Sequence, residues 1–490
     1  MNATERTLLL IADGMGLPAP GALTRGAVSK ESMPNLFRLF DRHGMARLGA
    51  AEDAVGLEQG QPGNSEAGHL IIGAGRRIPS LLRGIAESFE DGTWAQHPAW
   101  AALREHGRVH LVGLLSGAGV HGHVRNIIQA ATLASRVLAS SEIFVHAALD
   151  GVDSVAGSAP ELLRELRAAL EPLPRVRLAT VMGRKWAMDR SGNLELSRHF
   201  AHSLCGRKER LAWSDEALKA HLGQASEASF PAHALVPEGA IQPGEPVLLT
   251  NHRADRTAQL AKVFSETSPV LSLVELGDAV PPERVFFPVR SSDRGLVSEL
   301  KAQGIGLRRV AEQCKFPHVT FFLNGFHESL GEEAVCIPSI PEARIPEAPE
   351  MSLEPLTAAV LEGLKRPGER AMVANLANLD QVGHTGRMEA AVRAAGHVDR
   401  AIDTLQRTCA EHGWHLMITA DHGNAEVMQA EDGSPWGSHT TNAVPLVVVP
   451  RPGASLELQE LGGTLANVAP TFLATMGLAP PGWMAMSLLG

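Results

Sequence analysis

A chain of 490 residues, 44% hydrophobic and 20% charged, is long enough for two globular domains, because a single core stops growing well short of this length. Its net charge of −10 argues against a general nucleic-acid binder, although it says nothing about a local anion site. No run reaches the length of a membrane span, the N-terminal apolar run is too short for a secretory signal, and Cys205, Cys314, Cys336 and Cys409 form no CxxC pair; a reducing, cytoplasmic compartment is the expectation.

In chain order, TLLLIA (7–12) reads as a buried parallel strand that ends on Asp13-Gly14. In GNSEAGHLIIGAGRR (63–77), Ser65 opens a short helical segment. There it is either an N-cap or a nucleophile placed where helix N–H groups favour a phosphate. VHLVGLL (109–115) is a strand leading to His121 and His123, and a helical pattern follows over 126–140. His123 reads as a structural hydrogen-bonder. IFVHAAL (143–149) leads to Asp150 and Asp153; LATVMG (178–183) leads to Arg184 and Arg190; PVLLT (246–250) leads to Arg253 and Arg256. A helical pattern over 295–315 precedes HVTFFLN (318–324), which reads as a strand, and a proline-rich connector covers 336–351. AMVANL (371–376) is a strand followed by Asp380 and His384. Residues 389–411 form an amphipathic helix with Ala391, Ala394, Val398, Ile402 and Leu405 on one stripe. The strand in HLMITADHGNAE (415–426) ends on Asp421-His422, and His439 stands ahead of the strand VPLVVV (444–449). The absence of tyrosine removes phenolic hydroxyls from any mechanism.

Strands alternate with helices throughout, so the class is α/β. In the middle of the chain the strand ends carry arginine and histidine, whereas in the outer parts they carry mostly aspartate. That shift places an insert at 79–290 between a first segment, 1–78, and a second, 291–490. Collected from the outer segments, Asp13, Asp380, His384, Asp421, His422, His439 and Ser65 can hold two divalent metals with mixed oxygen and nitrogen ligation. Any one of them alone reads as a cap or a turn former. The recurrence carries the case: three strands end on aspartate, and two of those aspartates have a histidine one or four residues later.

The motifs IADGMG, GNSEAGHLIIGAGR, HLVGLLSGAGVHGH, VHAALDGVD, GRKWAMDR, NHRADR, KFPHVTFFLNG, NLDQVGHTG, ITADHGNAE and SHTTNAVPL occur in the order, and at about the spacing, of one family. The chain resembles the 2,3-bisphosphoglycerate-independent phosphoglycerate mutases of the alkaline phosphatase superfamily over nearly its whole length. The resemblance implies an alkaline-phosphatase-like domain split by an inserted α/β transferase domain. It implies one metal held by Asp13, Ser65, Asp421 and His422 and a second held by Asp380, His384 and His439, most often Mn²⁺ with Zn²⁺ or Co²⁺ as alternatives, and no 2,3-bisphosphoglycerate. Ser65 matches the serine that becomes phosphorylated, and Lys315 the lysine that supports the transferred phosphate. His121, Asp153, Arg184, Arg190, Arg253 and Arg256 match substrate-binding positions, with Asp153 suited to exchange a proton with the substrate hydroxyl. The implied enzyme is a cytoplasmic monomer of glycolysis and gluconeogenesis, acting on a small phosphorylated carboxylic acid, with no nucleic acid or membrane partner.

The sequence departs from the family pattern mainly in the insert. Val152 stands where the family has arginine, and Gly117 where it has aspartate. Cys314 and Phe316 flank the lysine in place of glutamate and tyrosine, and NHRADR replaces NFRPDR. Two other readings are therefore carried. One is a related phosphomutase or phosphatase acting on another small phosphorylated or phosphonylated carboxylic acid. The other is a non-catalytic binding relative.

Overall fold

The computed structural model describes residues 5–18, 25–189, 193–208, 210–288, 294–327, 333–459 and 462–490. The first part of the chain forms strands β1 (Thr7–Ala12) and β2 (Ala46–Gly49). Then come β3 (Arg108–Leu115), β4 (Glu142–Leu149), β5 (Val176–Gly183), β6 (Leu211–Ala212), β7 (His233–Ala234), β8 (Val247–Leu249) and β9 (Val270–Ser272). The last part adds β10 (Leu307–Glu312), β11 (Ala334–Ile337), β12 (Ala371–Leu376), β13 (His415–Thr419), β14 (Val444–Val449) and β15 (Gly463–Thr464). Two compact units result, one from Met1–Ser80 with Ser291–Gly490, the other from Leu81–Arg290.

The first unit is built on an eight-stranded sheet of order β11-β10-β12-β1-β13-β14-β2-β15. β1 lies at its heart, parallel to β12 on one side and β13 on the other. All three strands are buried from end to end, which is why they read as unbroken apolar runs rather than alternating ones. Their carboxyl ends deliver Asp13, Asp380 and Asp421 to one edge of the sheet, the usual place for reactive groups in open α/β sheets. The helix Met388–His412 packs on this sheet through the expected stripe of Ala391, Ala394, Val398, Ile402 and Leu405, and stops at Gly413 in the left-handed conformation.

The second unit has a seven-stranded sheet of order β6-β7-β5-β4-β3-β8-β9, parallel except where β7 meets β5. His121, Asp153, Arg184 and Arg253 follow the carboxyl ends of β3, β4, β5 and β8. Among the described residues, no helix is long and apolar enough to cross a membrane.

Two expected elements are wrong. The helix expected over 295–315 is a short helix, Leu296–Ala302, followed by strand β10. Arg308 and Arg309 hid that strand by interrupting its apolar pattern. Both are buried: Arg308 pairs with Glu333 at 2.6 Å, and Arg309 donates to Asn324 Oδ1 at 2.8 Å. The strand expected at 318–324 is a π-helical turn, His318–Phe322, with Leu323 N donating to His318 O at 3.1 Å. Its β-branched and aromatic residues favour a strand locally, but the turn packs against the Ser65–Ala74 helix, and tertiary packing overrides propensity.

β10 ends on Glu312, a fully buried carboxyl whose Oε1 accepts from Ser352 N at 3.1 Å. Burial pushes its pKa up to about 7 from an ordinary 4.5. A raised folded pKa stabilises below the unfolded value and loses that contribution as pH rises through 7, up to about 3 kcal/mol in all. Glu312→Gln removes the dependence. The variant should exceed the parent in thermal midpoint by more at pH 8 than at pH 5, and equal offsets at the two pH values would refute this account.

Candidate metal centre and active site

Ser65 is the first residue of the helix Ser65–Ala74. It is not the cap: Asn64 holds that place and accepts from Ala67 N at 2.9 Å. The glycines around it are set by packing. A Cβ on Gly68 would lie 2.4 Å from the carbonyl oxygen of Asp421, so only glycine lets this helix approach the end of β13. A Cβ on Gly14, at φ 77°, would likewise lie 2.7 Å from the Cα of Asp380.

Seven of the eight polar groups expected here from the outer segments form two ligand clusters around one hydroxyl, and the eighth is a lysine. Asp13, Asp421 and His422 form one cluster, and Asp380, His384 and His439 the other, with ligand atoms inside each within 4.8 Å of one another. Ser65 Oγ lies 3.0 Å from His422 Nε2 and 3.4 Å from Asp13 Oδ1. Lys315 Nζ donates to Ser65 Oγ at 2.6 Å and to Asp13 Oδ1 at 2.7 Å, and pairs with Asp380 Oδ2 at 2.7 Å. Lys315 comes from the turn between β10 and the π-helical turn, so the segment misread in sequence is the one that aims the lysine.

The donor set fits divalent metals. The hydrogen-bond network assigns the imidazoles: Nδ1 of His384 donates to Gly437 O at 2.9 Å and Nδ1 of His439 to Gly63 O at 2.8 Å. Both Nε2 atoms therefore turn inward, 3.1 Å apart, with Asp380 Oδ1 at 3.1 Å from one and 3.3 Å from the other. Two ring nitrogens and a carboxylate oxygen converging on one point suit a single cation. In the other cluster, buried Asp421 Oδ2 accepts no hydrogen bond. An orphaned carboxylate oxygen at zero exposure is costly unless something charged meets it. The field favours cations throughout. Burial opposes the charge on His422, yet Asp421, Asp13 and Asp380 raise its pKa to about 9. Burial likewise opposes the Lys315 ammonium, and the same three aspartates push its pKa above the ordinary value.

In the second unit, Asp150 is the hub. Its Oδ1 accepts from Val152 N at 3.2 Å and Asp153 N at 3.1 Å, its Oδ2 from Ser116 Oγ at 2.6 Å, and Arg184 Nη1 reaches Oδ1 at 2.5 Å. Burial works against the Asp150 carboxylate, but these donors hold its pKa down to about 2. Arg184 Nη1 also donates to Asp153 Oδ2 at 2.6 Å, while its Nη2 is buried with no acceptor, an unspent donor. His121 sits 3.9 Å from Asp153 Oδ2 and 3.2 Å from Asp255, within the electrostatic reach of Arg184, Arg253 and Arg256. The structure thus gathers His121, Asp153, Arg184, Arg253 and Arg256; Arg190 lies outside the described residues. His123 caps the helix Val124–Val137, its Nδ1 accepting from Arg125 N at 3.1 Å.

Three residues were not singled out from the sequence. His69 and Asn375 lie behind the acidic cluster. His252, in the altered NHRADR, bonds Gly119 O and Asn126 Nδ2, both at 3.0 Å, and pins the loop that carries His121. The spacing of Ser65 and His69, one helical turn apart on one face, was the available signal for His69.

A profile of the Metalloenzyme superfamily matches residues 5–480. A 2,3-bisphosphoglycerate-independent phosphoglycerate mutase of Laribacter hongkongensis is 36% identical over 505 aligned residues, covering 98% of each chain. The chain belongs to the 2,3-bisphosphoglycerate-independent phosphoglycerate mutase family. The mutase of that name from Moorella thermoacetica is 35% identical, covering 97% of this chain and 96% of its own. The crystal structure of Leishmania mexicana phosphoglycerate mutase at low cobalt concentration superposes with a TM-score of 0.66 at 25% identity, covering 99% and 98% of the two chains. The α/β class expected from the sequence holds, and the family is the one its motifs resemble.

Proposed function

We propose that this chain interconverts 3-phosphoglycerate and 2-phosphoglycerate through a phosphorylated Ser65. The observation that carries the reading is Ser65 Oγ lying within 3.0 Å of both Lys315 Nζ and His422 Nε2, between two three-ligand clusters. Divalent metals held there, Mn²⁺ foremost, supply the charge that ionises a serine hydroxyl and neutralises phosphoryl oxygens. Ser65 Oγ bonds to phosphorus as the glycerate C–O–P link breaks. The second glycerate hydroxyl then attacks phosphorus and frees Ser65. Asp153 gives a proton to the oxygen that loses phosphorus in the first step and takes the proton of the attacking hydroxyl in the second, so it ends as it began. Lys315 pairs with the moving phosphoryl oxygens. The insert, 79–290, holds the acid: Arg184, with its free Nη2, and Arg253 and Arg256 offer forked donors to carboxylate and phosphate. No 2,3-bisphosphoglycerate is required, because the serine stores the phosphoryl group. The free cysteines support a cytoplasmic setting, and we read the enzyme as a monomer.

The test is ³¹P NMR of 3-phosphoglycerate with Mn²⁺-loaded enzyme and no 2,3-bisphosphoglycerate. A mixture with 2-phosphoglycerate should form, and chelation should stop it. Release of inorganic phosphate alone, or an untouched substrate, would end the mutase reading.

One observation favours a second substrate. Val152, next to Asp153, is 58% exposed where the family pattern has arginine, so one charged contact is missing. A panel of phosphorylated and phosphonylated carboxylic acids should then contain a better substrate, and Val152→Arg should shift preference toward phosphoglycerate. Clear preference of the parent for phosphoglycerate would dismiss it.

A further inference from the structure

Behind the acidic cluster, His69 and Asn375 form a bridge from the Asp13 carboxylate to the carbonyl of Ser65, passing close to Asp421. Both are fully buried. Asn375 Nδ2 lies 2.7 Å from Asp13 Oδ2 and 3.0 Å from His69 Nε2. An amide nitrogen carries two hydrogens, so it donates to both. Turning the amide would set its oxygen against the Asp13 carboxylate, which fixes its orientation. His69 Nε2 is then an acceptor, and Nδ1 carries the ring proton. That Nδ1 donates to the carbonyl of Ser65 at 2.9 Å and lies 3.2 Å from Asp421 Oδ2.

We infer that Asn375 and His69 are positioning residues for the Asp13, Asp421 and His422 cluster and leave the other cluster untouched. By occupying Asp13 Oδ2, Asn375 turns Oδ1 toward Ser65 and Lys315. By bonding the Ser65 carbonyl, His69 holds the first turn of the helix, and with it the hydroxyl, against Asp421. Asn375 sits in β12 opposite Ile11 of β1, two residues before Asp13, so the sheet register sets the bridge. Neither residue touches Asp380, His384 or His439 in any described hydrogen bond. The inference rests on the two-cluster metal reading and not on the identity of the substrate.

The test is Mn²⁺ binding followed by EPR of free ion, with no substrate present. The parent should bind two ions. Asn375→Leu and His69→Leu should each weaken one of them about ten- to a hundredfold, the usual effect of removing a group that orients a ligand, and leave the other unchanged. In a His384→Ala/His439→Ala background, which keeps only the acidic cluster, Asn375→Leu should weaken the remaining ion by the same factor. His69→Asn keeps a donor toward the Ser65 carbonyl and should restore part of the affinity. Unchanged binding of both ions, or equal loss at both, overturns the inference, the second because a merely structural role weakens both. A parent chain that binds no Mn²⁺ ends the metal reading itself and this bridge with it.

Discussion

Replacing Ser65 with alanine should abolish mutase turnover, lowering kcat by at least about 10³-fold. Ser65 is 7% exposed, and the approaches to its hydroxyl are shared by Lys315 at 2.6 Å and His422 at 3.0 Å. No other hydroxyl is bonded to that lysine among the described residues, so no substitute nucleophile stands in. The loss should come without unfolding: alanine at the first position of the helix leaves the Asn64 cap intact. Uptake of the metal at Asp380, His384 and His439 should persist. A ³¹P resonance of phosphoserine, trapped from the parent by acid quench, should be missing from the variant. Retention of more than a few per cent of parental turnover would refute the role of Ser65.

The second large effect is in the insert. Arg184→Met should cost about 3–5 kcal/mol of stability, because it strips a buried carboxylate of its cation. Arg184 and Asp150 are 2% and 1% exposed, so water cannot replace either. Asp150 would keep Ser116 Oγ and the backbone donors of Val152 and Asp153 but lose the only guanidinium it touches in the described residues. Adding Asp150→Asn removes the stranded charge and should restore a good part of the stability. It should not restore substrate affinity, since the Nη2 donor stays absent. Denaturant melts of the two single variants and the double variant, with KM for phosphoglycerate, separate the two effects. Strict additivity of the stability losses would show that the pair is not coupled.

The parts of this architecture that sequence revealed are those where one physical demand dominates. β1, β12 and β13 are buried on both faces, so they are apolar throughout, and the aspartates that end them stand out. β10 escaped notice because its demand is split: Arg308 and Arg309 are paired with Glu333 and Asn324, partners from later in the chain. The π-helical turn escaped because Val319, Thr320, Phe321 and Phe322 obey a strand's local preference and only the neighbouring helix decides otherwise. In the site, residues that take part in a repeated pattern of acid and histidine were visible. Asn375 was not, because one polar residue inside an apolar strand has no spacing to mark it, and its two partners come from positions 13 and 69.

The position of β1 also bears on how the chain is made. Its neighbours in the sheet are β12 and β13, whose residues emerge from the ribosome about three hundred and sixty and about four hundred positions later. At cellular rates of synthesis this is a delay on the order of tens of seconds. The described strands of the insert pair only with one another and can close during that time. TLLLIA cannot: until the last quarter of the chain arrives it is an apolar strand with both edges open. A nascent chain halted after the insert should therefore be a strong client for a chaperone that binds extended apolar segments. Charging the middle of β1 should relieve that capture even as it ruins the finished sheet.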